Sequence, residues 1–193
     1  MTFIVKQNIA KTLSVWAAVV ALILMVALVA MQFTDEVAWD ETDFIVAGVL
    51  VFCTGLAYEV VARKGGTIAF RAAVGLGLVA ALILVWMNLA VGLIGSEDNP
   101  ANLMYGGVLA VGVIGAIIAR FQPPGMARAL FATAFGQASV AVVALIAGLG
   151  SPGSGPLEIV ALNGFFVALF VGSALLFRYA AREQLPADAG PEG

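Results

Sequence analysis

The sequence contains no histidine. That absence removes the usual haem ligand, the commonest zinc ligand, the imidazole base of Ser–His and Cys–His nucleophiles and the usual proton shuttle. There is a single cysteine, Cys53, inside an apolar run, so an internal disulfide is excluded and redox compartment is not readable. No lysine falls within an apolar segment core, which excludes a retinal-type Schiff base in the membrane. Charge of either sign is scarce. Only 11% of the 193 residues are charged, whereas 62% are hydrophobic; a soluble domain has roughly a quarter charged residues. Such a chain cannot cover its own surface with polar groups, so it reads as a membrane protein. A sizeable soluble domain, a nucleic-acid binder and a disordered tail protein are excluded by the same arithmetic.

What is present is apolar and segmented. Six runs, 13–33, 44–62, 72–95, 101–119, 129–148 and 159–177, are each long enough to cross a hydrocarbon core of about 30 Å as a helix. The connections are short, so neighbouring helices are expected to pack antiparallel. The fold class is therefore an all-α membrane protein, a bundle of six transmembrane helices, forming one domain over residues 1–183. The first run is too long for a signal-peptide core and lacks a small-x-small site before Met31, which predicts an uncleaved anchor. Residues 184–193, with Pro186, Gly190 and Pro191, read as a mobile cytoplasmic tail.

Charge placement gives an orientation. Lys6 and Lys11 precede the first run, and Arg63, Lys64 and Arg71 separate the second from the third. Arg120 and Arg128 flank the turn between the fourth and fifth, and Arg178 and Arg182 follow the sixth. All nine basic residues thus fall on alternate flanks, which six crossings place on one side. The other side carries Asp35, Glu36, Asp40, Glu41, Asp43, Glu97, Asp98 and Glu158. The positive-inside rule then puts both termini in the cytoplasm.

Four constellations deserve weighing. The first loop holds five carboxylates, Asp35, Glu36, Asp40, Glu41 and Asp43, within nine residues, an acidic outer rim able to attract a hard cation. It lacks the spacing and central glycine of an EF-hand, and the plainer reading is a solvated loop with Trp39 as an interfacial anchor. Asn99-Pro100-Ala101 matches an aquaporin tripeptide once, but the second copy such a pore needs is missing. A helix cap at Asp98 or Asn99, with Pro100 in the first turn, accounts for it better. Glu59 is the only carboxylate within an apolar run. Arg63 follows four residues later on the same helical face, which favours a surface ion pair over a coupling site. The deeper polar residues are amides and hydroxyls, among them Thr54, Asn88, Thr133, Gln137 and Asn163, mostly beside small residues at spacing four. In lipid that pattern binds helix to helix.

The stretch Trp86-Met87-Asn88-Leu89-Ala90-Val91-Gly92, continuing through Gly95-Ser96-Glu97-Asp98-Asn99-Pro100-Ala101-Asn102 to Tyr105, resembles a sequence recurring in uncharacterised small bacterial polytopic inner-membrane proteins. The resemblance covers about twenty residues. It implies a bacterial inner-membrane setting and no activity, cofactor or site.

These readings converge on a non-catalytic integral membrane protein of the bacterial inner membrane. It is expected to be an accessory subunit whose partners are the bilayer and either a second copy or a larger membrane complex, with no nucleic acid, metal or cofactor. The alternative is a small channel or carrier for a neutral solute or lipid-like ligand; an intramembrane enzyme fits least. For the alternative, the sequence proposes a periplasm-facing amide-lined pocket of Asn88, Trp86, Asn163, Asn102, Tyr105 and Gln137. It sets Asn88 about seven residues below a helix end at Gly95, and Asn163 about four below Ile159, at depths of roughly 10 Å and 6 Å. The orientation is tested by fusing alkaline phosphatase and a cytoplasmic fluorescent reporter after Gly193. The phosphatase is expected to be inactive and the fluorophore to mature; periplasmic phosphatase activity overturns the topology.

Overall fold

A computed structural model describes residues 2–33 and 39–184, with side chains from Lys11 onward in the first helix. The protein is all-helical, with no strand among the described residues. Its helices are α1 (Thr2–Phe33), α2 (Glu41–Ala62), α3 (Ile68–Ala90), α4 (Met104–Ile118), α5 (Pro123–Ile146) and α6 (Pro156–Glu183), with a 3₁₀ turn at Pro100–Leu103 leading into α4. Among the described residues, six helical spans are long and apolar enough to cross a membrane, and the chain is a multi-pass integral membrane protein. Asp35 and Glu36 of the acidic rim, and residues 185–193 of the expected tail, lie outside the described residues.

Where the sequence reads one domain, packing divides the chain into two compact units, Met1–Val60 and Val61–Gly193. In the first unit, α1 lays Trp16 against Gly55 of α2, where any side chain would collide with the indole. About two turns away along α2, Leu24 and Val20 pack on Gly48 at 3.5 and 3.6 Å from the position of a Cβ. The start of α2 is fixed by its own acids. The Asp43 amide donates to Asp40 Oδ1, and the Asp40 amide donates to Asp43 Oδ2, both at 2.9 Å. Two of the rim carboxylates are thus engaged in a reciprocal helix cap, and they also suit the positive end of the helix dipole.

The second unit is a four-helix bundle, α3 to α6. Thr67 caps α3, accepting from the Phe70 amide. At this end Phe70 and Phe177 meet edge to face with centroids 5.3 Å apart. The Lys64 ammonium also lies 4.2 Å from the centroid of Phe121, which belongs to the α4–α5 turn. That turn is abrupt because Pro123 disfavours a helical Gln122, whose backbone is extended at φ −76° and ψ 137°. Between α4 and α5 the contact is made by small residues. A Cβ on Gly115 would come within 2.7 Å of Ala129 Cβ, and one on Gly112 within 3.0 Å of Thr133 Oγ1. Between α3 and α6, the Ser173 hydroxyl donates to the Ala73 carbonyl at 2.7 Å, beside Gly77. Lipid offers helices no hydrophobic drive to associate, so close backbone approach and such cross-helix bonds take over that role.

The helix bounds depart from the apolar runs. The apolar run 72–95 is not one helix: α3 starts earlier, at Ile68, and ends at Ala90. The amides of Val91 and Gly92 both turn back to the Met87 carbonyl, and Gly92 and Gly95 have φ of +71° and +76°. Glycine adopts that left-handed backbone without steric cost, and it ends the helix. Residues 91–99 therefore form a connection whose Leu93 and Ile94 turn inward and are fully buried in the bundle core. α6 also begins earlier than expected, at Pro156, and continues to Glu183.

Two substitutions test the packing. Gly115→Leu forces α4 from α5 and is expected to cost about 1–3 kcal/mol as an overpacked contact. Ser173→Ala is expected to cost about 0.6 kcal/mol, and no more than about 1.7, the range of membrane interhelical hydrogen bonds. Reversible unfolding in mixed micelles measures both, with Gly106→Ala as control because a Cβ there meets open space.

Candidate functional site

Two helices of the bundle each send a polar side chain to one atom on a third. The Tyr105 hydroxyl, from the first turn of α4, donates to Asn163 Oδ1 of α6 at 3.0 Å. Gln137 Nε2, from α5, donates to the same oxygen at 2.9 Å. Asn163 Nδ2 in turn donates to the Ile159 carbonyl one turn back along α6, at 2.8 Å. Tyr105, Gln137 and Asn163 are each exposed by 1% or less.

The Ile159 carbonyl decides how the amides point. Turning Asn163 over would set its Oδ1 against that carbonyl oxygen, and turning Gln137 over would set its Oε1 against Asn163 Oδ1. Either flip replaces an attraction with a repulsion between two acceptors. The assigned orientation leaves Gln137 Oε1 buried without a hydrogen-bond donor from the protein.

The six residues proposed from sequence separate into groups. Tyr105, Gln137 and Asn163 come together as described. Asn102 belongs to the loop instead: its Oδ1 accepts from the amides of Leu93 and Ile94 at 3.1 and 3.0 Å, and its Nδ2 donates to the Ser96 carbonyl at 2.7 Å. The reason is the early end of α3, which leaves those amides without helical acceptors. Asn88 stands in the last turn of α3, about 3 Å short of the helix end, not 10 Å below it. It donates to the Leu84 carbonyl of its own helix at 2.8 Å, while its buried Oδ1 has no protein donor. Trp86 is half-buried on α3. Asn163 lies seven residues into α6, about 10 Å from the start of the helix rather than 6 Å.

The cluster also does not open outward. Leu93 and Ile94, together with Ile159, belong to the same buried apolar core as Tyr105. The loop that carries them is fastened to the α5–α6 connection: the Gly95 amide donates to Ser154 Oγ at 3.1 Å, and Asn99 Nδ2 donates to the Leu149 carbonyl at 2.8 Å. Asn99 also caps the 3₁₀ turn, accepting from the Ala101 amide, with Pro100 next in line. The cap reading of the Asn99-Pro100 pair therefore holds. Sequence reasoning missed the fastening role of Ser154 and Asn102. The available signal was the glycine pair Gly92 and Gly95 inside an otherwise apolar run.

Of the remaining candidates, Glu59 sits half-buried in the last turn of α2, and Arg63 is exposed just beyond the helix end. Thr133 is buried and donates to the Ala129 carbonyl of its own helix. Cys53 is a free, exposed thiol on α2. No cluster of three or more Cys, Asp or Glu side chains with metal-binding geometry occurs among the described residues.

Replacing Asn163 removes the acceptor of two buried donors at once. Asn163→Ala is therefore expected to cost about 2–4 kcal/mol, since each buried polar group left unpaired costs about 1–3. Asn88→Ala, which loses only a bond within its own helix, is expected to cost under about 1 kcal/mol. Steric-trap unfolding in bicelles ranks the pair; equal losses would show that the three-helix junction contributes nothing special. Comparison of the chain with protein families, curated proteins and solved structures gives no match.

Proposed function

We propose that this protein is a non-catalytic accessory subunit of the bacterial inner membrane, packing against a second copy or a larger membrane complex within the lipid bilayer. The observation that carries this reading is the use of polar side chains inside the bundle. Asn163, Tyr105, Gln137 and Ser173 all bond one helix to another. Groups committed in that way hold a scaffold together and are not poised for bond-making chemistry.

Surface composition supports the docking role. None of the most apolar window of α1 is buried within the protein, and Leu22, Val26 and Phe33 are among its exposed side chains. A helix of that kind meets only lipid or another membrane helix. The basic flanks support an orientation with both termini in the cytoplasm, which places the acidic residues Glu97, Asp98 and Glu158 outside. A second reading, a carrier for a neutral solute, is favoured by one atom, the unpartnered Gln137 Oε1.

The test is size at natural abundance. The tagged chain, expressed from its own locus and extracted in a mild detergent, is separated on a native gel. It is expected to run with stoichiometric partners or further copies, well above its own 19.8 kDa. A monodisperse monomer at that abundance overturns the subunit reading, and solute flux from that monomer in liposomes would replace it with the carrier.

A further inference from the structure

The junction of α4, α5 and α6 carries more hydrogen-bonding capacity than the helices use. Asn163 Oδ1 takes two donors, and Asn163 Nδ2 is satisfied by the Ile159 carbonyl. Gln137 Oε1 accepts nothing from the protein, although Gln137 has no exposed surface at all. Its direction is fixed by the bonds on its neighbours. A buried carbonyl oxygen with no donor is unfavourable, and the cost is greatest where no bulk water reaches it. Tyr105 Oη adds a second acceptor, because a hydroxyl that donates once still has lone pairs. Tyr105 Oη and Gln137 Nε2 both lie within 3.0 Å of the same Asn163 oxygen.

We propose that Gln137 Oε1, beside Tyr105 and Asn163, is a binding site for a small neutral molecule that supplies an O–H or N–H donor. The chemistry of the walls sets the class. The oxygens of Gln137, Asn163 and Tyr105 repel an anion. A cation would have no carboxylate to pair with: Glu158, the nearest in sequence to Asn163 on α6, is exposed, whereas its neighbour Ile159 is buried. The surrounding core is apolar, with Phe166, Phe170, Val140 and Ala144 buried in the same cluster as Tyr105. That enclosure limits the occupant to a few heavy atoms. Water is the smallest member of the class, and a primary amide or short alcohol offers the same donor. The loop bearing Leu93 and Ile94 closes the core at the α3–α4 end, so an occupant there is held away from bulk solvent.

Solid-state NMR of the full chain in lipid bilayers tests this directly. The probe is the Gln137 side-chain carbonyl carbon in protein labelled at glutamine. Gln137→Met assigns the signal by its loss. If that variant does not fold, replacing Gln7, Gln32, Gln122 and Gln184 by Asn leaves Gln137 as the single labelled glutamine. In plain buffer, the carbonyl is expected at a hydrogen-bonded shift with polarisation arriving from water protons, which identifies water as the donor. A carbonyl that shows no water transfer and moves to the hydrogen-bonded shift only on adding acetamide identifies an organic donor; both results support the site. A carbonyl at the free-amide shift, unmoved by acetamide and silent to water, overturns it. The result is independent of the subunit reading, which the native-gel measurement decides.

Discussion

A single side-chain oxygen, Asn163 Oδ1, ties α4, α5 and α6 to one another. In water such a bond would be one of many modest exchanges with solvent. In a bundle whose outer faces are apolar, the donors on Tyr105 and Gln137 are both taken up by this one oxygen. The dependence is sequential. The Ile159 carbonyl orients Asn163, Asn163 orients Gln137 and Tyr105, and those two set the rotation of α5 and α4 about their own axes. Small residues then let the helices close. Gly112 and Gly115 admit α5 against α4, and Gly77 makes room for Ser173 between α6 and α3.

The α3–α4 and α5–α6 connections follow a different logic. Ending α3 at Ala90 releases backbone groups that lie close to the apolar layer, and these must be paired. Asn102 pairs two of them with one oxygen, and Ser154 takes the Gly95 amide. Once those polar groups are satisfied, Leu93 and Ile94 turn into the core as if they were still part of a helix. Irregular backbone at this depth is tolerated because it is covered by protein rather than by lipid.

Hydropathy made the six spans legible in the sequence, because membrane-crossing length leaves a strong one-dimensional pattern. The Asn99-Pro100 cap was legible for the same reason: its signal is local. The end of α3 was not, since Val91, Leu93 and Ile94 are as apolar as the helix before them, and hydropathy does not distinguish a buried loop from a buried turn of helix. Gln137, Asn163 and Tyr105 could be grouped from the sequence, but the bonds among them could not be assigned. Their pairing depends on the rotation of two helices, which no local pattern encodes. Asn88 looked equivalent to Asn163 by composition alone, yet one amide serves its own helix and the other serves three.

The Ser173 bond to Ala73 joins a side chain to a main-chain carbonyl. Only one of the two helices therefore carries the information for it. Any residue at position 73 offers the same carbonyl, so α3 is free to drift in chemistry there as long as it stays small, while α6 must keep a donor of serine's reach. Sequence comparison of diverging copies of this chain would see a fixed position opposite a variable one. The contact would leave no paired substitution to reveal it.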